Sequence, residues 1–390
     1  MNNSIGRRGF LKSSASALAF SAAARPAAAQ QAGVRVGMIG LGNRGTTLQR
    51  QVQEQPNAPV VAICDIDANK RDAALSRASQ FNPKAYSDYR ELLERDDIDA
   101  VHIATPCYLH AEMAAAALKA GKWVYCEKPL GITPEQVGMV VKAQRKAETF
   151  LQIGQQLRYF PAVREVIRQL HEVKVLGRSF VIKAQRHGTP AKPGTQRADG
   201  RNEQRLRPAW YDDVKTSGDL IVENAIHNID VCNWMAGSRP VSAYGHGKKY
   251  LPEPIPAGTE MMDGFSVEYI YENDMHLDYS QLYLHPRKMS QLKNGQWWVI
   301  FGEKGSLEVG HDDGVFYDMW GEQEPVNLIP AEIAEAKEDA MAQFFQAVRE
   351  KKRPFADIEV GAVAALTAIM GREAIYQRRM VTWKEMGVEI

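Results

Sequence analysis

Two residues placed to move protons stand out by their settings, Lys128 and His227. Lys128 follows the apolar run Trp123-Val124-Tyr125 within Tyr125-Cys126-Glu127-Lys128-Pro129. That order predicts a titratable amine at the carboxyl end of a short strand, where open α/β sheets bind their ligands. His227 lies in the segment Gly218 to Gly237, for which Asp219 is the predicted helix N-cap and Gly237 the stop. Glu223, His227, Asp230 and Trp234 fall at i, i+4, i+7 and i+11, one face of a helix whose other positions are mostly apolar. A carboxylate and an imidazole one turn apart on such a helix must be paired or face a polar cavity, because burying either alone is costly. Two readings follow: a structural Glu–His–Asp network, or a catalytic face. No further ligands stand at metal spacing around His227, so no metal is expected.

The elements that must position these groups begin with a nucleotide fingerprint. A short apolar strand, Val34 to Ile39, leads into Gly40-Leu41-Gly42-Asn43-Arg44-Gly45 and a helix from Thr46 to Gln55. A second strand, Val60 to Cys64, ends at Asp65. Strand, glycine loop, helix and a terminal acid make the dinucleotide-binding context. Gly40 serves the tight turn, Gly42 lets backbone amides approach a pyrophosphate, and Gly45 allows close helix–strand packing. Asn43 and Arg44 complete the loop. Asp65 suits the adenosine ribose hydroxyls and opposes a 2′-phosphate, which favours NAD; the nearby Lys70 and Arg71 keep NADP as the lesser alternative.

Strand and helix patterns then alternate. Helices are predicted at Ala68–Gln80, Ser87–Glu94, Tyr108–Lys119 and Pro134–Ala147, and strands at Asp99–Ala104, Lys122–Tyr125 and Phe150–Ile153. This is a doubly wound parallel sheet, with Thr105, Pro106 and His110 at another strand's carboxyl end beside the cofactor. From Ser179 the pattern changes to successive strands at 180–182, 265–271, 276–283 and 297–301, a mainly antiparallel sheet. Residues 188–208 read as a long loop of the kind that is often functional. Met341, Phe344, Phe345 and Val348 form a core stripe on one of two closing helices.

The first residues differ from the rest. Arg7-Arg8-Gly9-Phe10-Leu11-Lys12, a small apolar run and Ala27-Ala28-Ala29 before Gln30 describe a signal peptide over 1–29, with paired arginines of the twin-arginine type. The expected location is periplasmic or otherwise exported, after folding. The apolar run is too short to span a bilayer, so no stable membrane insertion is expected. A net charge of +1 across 390 residues gives no reason to expect nucleic acid. Four irregularly spaced cysteines read as buried thiols.

Taken together, the fingerprint, Thr105-Pro106 with His110, Glu127-Lys128-Pro129, and Gly218-Asp219 through His227 to Asp230 resemble the Gfo/Idh/MocA oxidoreductase family, from Val34 to the C-terminus. The resemblance implies an α/β chain: an N-terminal Rossmann domain over 33–154, then a C-terminal α/β domain over 155–390 with a large, open, mostly antiparallel sheet. That sheet is implied to mediate a homodimer or homotetramer. It also implies a cis Lys128–Pro129 bond, cofactor contacts from Glu127 and Lys128, and acid/base work by His227. Glu223 stands where many relatives carry Asp, so its own role stays open. Arg158 and Tyr211, with Glu223 and Asp230, are the candidates for holding substrate.

The chemistry expected is oxidation of a secondary hydroxyl of a sugar, glycoside or cyclitol. His227 is expected to serve as principal acid/base at its ordinary pKa. Lys128 would need its pKa lowered by about three units to take that role, so it is assigned to hold and polarise the oxygen. An exported nucleotide enzyme is expected to hold its cofactor tightly and recycle it in place. Two further readings are a redox-neutral glycoside hydrolase, working by transient oxidation and elimination, and a non-catalytic sugar-binding protein.

Overall fold

The computed structural model describes residues 33–189, 209–251, 261–286, 288–289 and 295–390. The signal-peptide reading and most of the loop predicted over 188–208 therefore lie outside the described residues.

Six short strands build the first sheet: β1 (Val36–Ile39), β2 (Val60–Cys64), β3 (Lys84–Tyr86), β4 (Ala100–Ile103), β5 (Trp123–Cys126) and β6 (Leu151–Ile153). Every residue of β1, β4 and β6 is buried, as required of strands covered by helices on both faces. All pairings are parallel, in the order β3-β2-β1-β4-β5-β6. Strand order reverses between β1 and β4, which opens a crevice outside their carboxyl ends. The fingerprint helix α1 (Asn43–Gln53) begins there. Sequence pattern missed β3, whose only buried residue is Tyr86, and the helix Pro161–Arg168.

Among the described residues the second sheet has nine strands, continuing as β7 (Ser179–His187), β8 (Pro240–Lys248), β9 (Gly264–Tyr271), β10 (His276–Leu282), β11 (Gly295–Gly302), β12 (Gly305–Val309), β13 (Gly314–Asp318), β14 (Val326–Asn327) and β15 (Val381–Thr382). Their order is β14-β13-β12-β11-β7-β10-β9-β8-β15, and every pair is antiparallel except β7 with β10. Strand β9 buries Phe265, Val267, Tyr269 and Tyr271 and exposes the residues between them, so one face is covered and the other open.

The helix expected between Gly218 and Gly237 is corrected in two ways. Residues Ile221–Ala225 form a π-helical turn, and α-helix α2 (Ile226–Ala236) follows. Asp219 is not its N-cap: it sits at φ 76°, and its carboxylate accepts the Leu220 and Met262 amides and the Tyr376 hydroxyl. A π turn widens the backbone ring and disturbs side-chain phase, which the i+4 spacing did not anticipate. Near the C-terminus, the stripe on α3 (Ala340–Glu350) is core, as expected, and it is core of the first sheet. Met341, Phe344, Phe345 and Val348 join the cluster containing Val36, Met38 and Tyr125, with Phe344 edge-on to Tyr125 at 5.8 Å.

Candidate active site

The glycine loop meets the demands of a dinucleotide. Gly40 turns at φ 83°, and a Cβ there would lie 2.8 Å from Ala104 backbone atoms; a Cβ on Gly45 would lie 1.9 Å from the Gly40 carbonyl. At Gly42 the opposite holds, because an added Cβ would meet nothing within 4 Å. No side chain caps α1 at Gly42, so its first amides face open space with the partial positive charge that suits a phosphate. These residues fit the group the sequence implied. Asp65 braces the loop, accepting the Leu41 amide at 2.7 Å and the Asp67 amide at 2.9 Å. The two bases that spoke for a 2′-phosphate are engaged elsewhere, Lys70 with Asp67 and Arg71 with the Asp65 carbonyl.

Several expected cofactor contacts are anchors instead. Arg44 donates to Glu127 at 2.7 Å, tying the loop to the end of β5. His110 is only 1 % exposed, and its ring nitrogens lie 2.8 Å from the Pro129 carbonyl and 2.9 Å from that of Thr105. It therefore joins the β4 and β5 turns from a buried position, where the expectation had it beside the cofactor. Thr105 remains at the end of β4 with a buried hydroxyl lacking a partner among the described residues, and Pro106 leads the short helix after it. The Lys128–Pro129 bond is cis, as the resemblance implied.

Lys128 crosses from the end of β5 to the π turn. Its ammonium donates to the Glu223 carbonyl at 2.6 Å and to Glu223 Oε1 at 2.8 Å. Burial acts to strip the Lys128 proton, but the Glu223 carboxylate more than reverses it, so the ammonium titrates above the ordinary lysine value. Burial likewise pushes Glu223 up, and Lys128, with help from Tyr211 and Arg186, brings it below the usual carboxylate range. His227 is pulled well below the ordinary histidine value, by burial first and then by Lys128, Arg186 and Arg44. The expectation of a histidine at its ordinary pKa is thus corrected, while Lys128 is held in its charged form. No hydrogen bond holds either ring nitrogen of His227 among the described residues. Its Nδ1 is buried, which leaves the Nε2 edge accessible on this half-buried ring.

Arg158 and Asp230 do not join this group. They bind each other in a buried two-point ion pair, Nε to Oδ2 at 2.8 Å and Nη2 to Oδ1 at 2.9 Å, with the guanidinium 4.8 Å over Trp234. Their polar atoms are engaged inside the fold, so their assignment to substrate is corrected. Tyr211 does lie at the π turn, accepting from Asn224 Nδ2 at 3.4 Å.

Sequence reasoning missed the floor of the site. Arg186 on β7 pairs in register with Gln281 on β10 and Gln296 on β11. Both amides reach the helix above, Gln281 to Asn224 at 2.9 Å and Gln296 to Asn228 at 2.6 Å. The available signal was inward-facing polar residues in strands otherwise apolar on that side.

Comparison with known proteins fits this geometry. A family profile described as oxidoreductase family, NAD-binding Rossmann fold, matches residues 34–155, and the GFO/IDH/MocA C-terminal domain matches residues 167–308. The chain belongs to the Gfo/Idh/MocA family. Its relatives within that family include an inositol 2-dehydrogenase of Salmonella typhimurium, 28 % identical over 59 % of this chain and 61 % of that protein. The matched stretch thus spans about three fifths of the relative's length. A glycosyl hydrolase family 109 protein of Saccharopolyspora erythraea is 33 % identical, but over only 36 % of this chain and 32 % of its own. Among solved structures, levoglucosan dehydrogenase in complex with NADH and levoglucosan superposes with a TM-score of 0.73 at 20 % identity, covering 90 % of this chain and 99 % of that one. That similarity establishes a shared fold.

Proposed function

We propose that this Gfo/Idh/MocA member is an NAD-dependent oxidoreductase acting on a secondary hydroxyl of a sugar, glycoside or cyclitol. The observation that carries the reading is the meeting of Lys128, from the nucleotide-binding sheet, with Glu223 and with the imidazole of His227, unbonded among the described residues, from the second half of the chain. Relatives named as inositol and levoglucosan dehydrogenases support a polyhydroxylated substrate. Asp65, with Lys70 and Arg71 engaged elsewhere, supports NAD over NADP.

A nicotinamide dinucleotide, when bound, supplies the hydride acceptor. The chain's own residues manage the proton. Lys128, kept protonated by Glu223, donates to the substrate hydroxyl oxygen and fixes its orientation. His227, kept neutral, presents Nε2 to the hydroxyl proton. The surrounding cations disfavour the imidazolium, so the proton passes on to solvent along the exposed edge of the ring. Positioned proton transfer of this kind is worth about 10²–10⁴-fold in rate. Glu223 sets the charge of Lys128 and so acts through it. The leader sequence supports an exported enzyme with a tightly held, internally recycled cofactor. The outward apolar residues of the open sheet, including Phe180, Ile270 and Phe301, support a homodimer or homotetramer through that face. The redox-neutral hydrolase reading rests on a match to a third of the chain and is not favoured.

The test is to incubate purified protein, with and without added NAD, with a panel of sugars, glycosides and cyclitols. NADH or a reduced second sugar, matched by keto product, is expected. Aglycone release without net oxidation would return the hydrolase, and binding without turnover the sugar-binding protein. Single-turnover hydride transfer that survives in His227→Ala but not in Lys128→Ala would overturn the proton assignment.

A further inference from the structure

Three permanent cations act electrostatically on His227: Lys128, Arg186 and Arg44. Two of them have carboxylate partners within the fold, Lys128 with Glu223 at 2.8 Å and Arg44 with Glu127 at 2.7 Å. Arg186 has none. Its one hydrogen bond among the described residues runs from Nη1 to the Asn224 carbonyl at 3.1 Å. The π turn explains this arrangement. Successive carbonyls of Glu223 and Asn224 point outward and receive two cations from different sheets, Lys128 from β5 and Arg186 from β7.

Arg186 is half-buried; the Glu223 carboxylate acts on it through space but is bonded to Lys128, and the residues that flank it in register are neutral. Gln281 and Gln296, which flank it in register, are tied by their amides to Asn224 and Asn228. Gln296 also meets His311 at 2.7 Å. A half-buried guanidinium with no directly bonded anion is costly, and its planar fork of N–H donors matches anionic oxygens in pairs. The pyrophosphate's place is at Gly42 on the first sheet, whereas Arg186 belongs to the floor of the second sheet beneath His227. The missing anion therefore belongs on the substrate side.

We propose that Arg186 anchors an anionic group, a carboxylate or a phosphate, on the substrate, so that the site selects acidic sugars over their neutral parents. The inference rests on the oxidoreductase reading above and narrows its substrate class. One free guanidinium balances one negative charge, which matches a hexuronate directly; a hexose 6-phosphate carries the same kind of oxygens.

The experiment uses the full chain loaded with NAD. Calorimetric titration and initial rates are measured for matched sets of hexose, hexuronate and hexose 6-phosphate in the gluco, galacto and manno configurations. The acidic member of at least one set is expected to bind about 10–100-fold tighter than its neutral parent. In Arg186→Gln that ratio is expected to fall to within about threefold, with partial recovery in Arg186→Lys, whose charge lacks the fork. A hexuronate preference identifies a carboxylate as the anion, and a hexose 6-phosphate preference a phosphate. Binding and turnover of neutral sugars alone, or an acidic preference that survives Arg186→Gln, would overturn the proposal and leave the oxidoreductase reading standing. Binding of NAD with no response to any member of any set would sink both.

Discussion

Two buried ion pairs rise from one helical segment, and they differ in what they leave over. Glu223 and Asp230 each receive a cation from earlier in the chain, Lys128 and Arg158. The Arg158–Asp230 pair is closed: both carboxylate oxygens are bonded, and Trp234 covers the guanidinium. The Lys128–Glu223 pair is open: Oε2 of Glu223 is buried without a hydrogen-bond partner among the described residues, and the neutral His227 stands beside it. A closed pair can only hold a fold together. An open one keeps capacity for a ligand.

The contrast can be broken most directly by exchanging the consequences of the two cations. Lys128→Met should lower turnover by about 10²–10⁴-fold and also lower the urea midpoint, because it strands the buried Glu223; an unchanged rate would remove Lys128 from the chemistry. Arg158→Met should show the stability loss without a matching loss in the chemical step, costing about 3–5 kcal/mol of unfolding free energy because it strands a buried carboxylate. Adding Asp230→Leu to that variant should recover most of the loss, as measured by urea denaturation.

A smaller effect separates fold from binding within the glycine loop. Gly42→Ala meets open space, so stability should change by no more than about 1 kcal/mol, the usual scale of a glycine replacement. NAD affinity, read by calorimetry, should fall about tenfold or more as the methyl group enters the pyrophosphate's space. Equal affinity would mean that the nucleotide lies elsewhere.

The smallest effect is in pH. His227 has its pKa depressed in the fold, so the unfolded chain takes up a proton near 6.5 while the folded one does not. Stability from this group is whole above that value and declines as pH falls below it, by up to about 1.4 kcal/mol per pH unit. Buried His102, depressed to about 3, and His187, depressed to about 4, act in the same direction. His227→Gln should therefore make the acid limb of a stability–pH curve shallower by one proton and leave the rest of the slope in place.

The fingerprint, the parallel character of the first sheet and the residues of the open pair were legible in sequence, because glycine spacing and short buried strands leave local signatures. Partner choice was not. Nothing in the spacing of Glu223 and Asp230 distinguishes a carboxylate that meets Lys128 from one that meets Arg158, since both partners arrive through tertiary folding. Arg186 was invisible for a similar reason: its meaning depends on strand register with Gln281 and Gln296 and on a π turn that the helical pattern conceals. The pKa shifts followed the partners, so the ordinary values assumed for Lys128 and His227 were displaced in opposite directions.

The aromatic stripe on α3 carries a consequence for how the molecule is made. Phe344 and Phe345 lie fully buried in the cluster that supports β1 and β5, yet they are translated long after those strands. During synthesis the nucleotide-binding half must wait, with part of its interior uncovered, until Ala340–Glu350 has been made. Truncations before Ala340 should accordingly yield sticky, chaperone-dependent fragments.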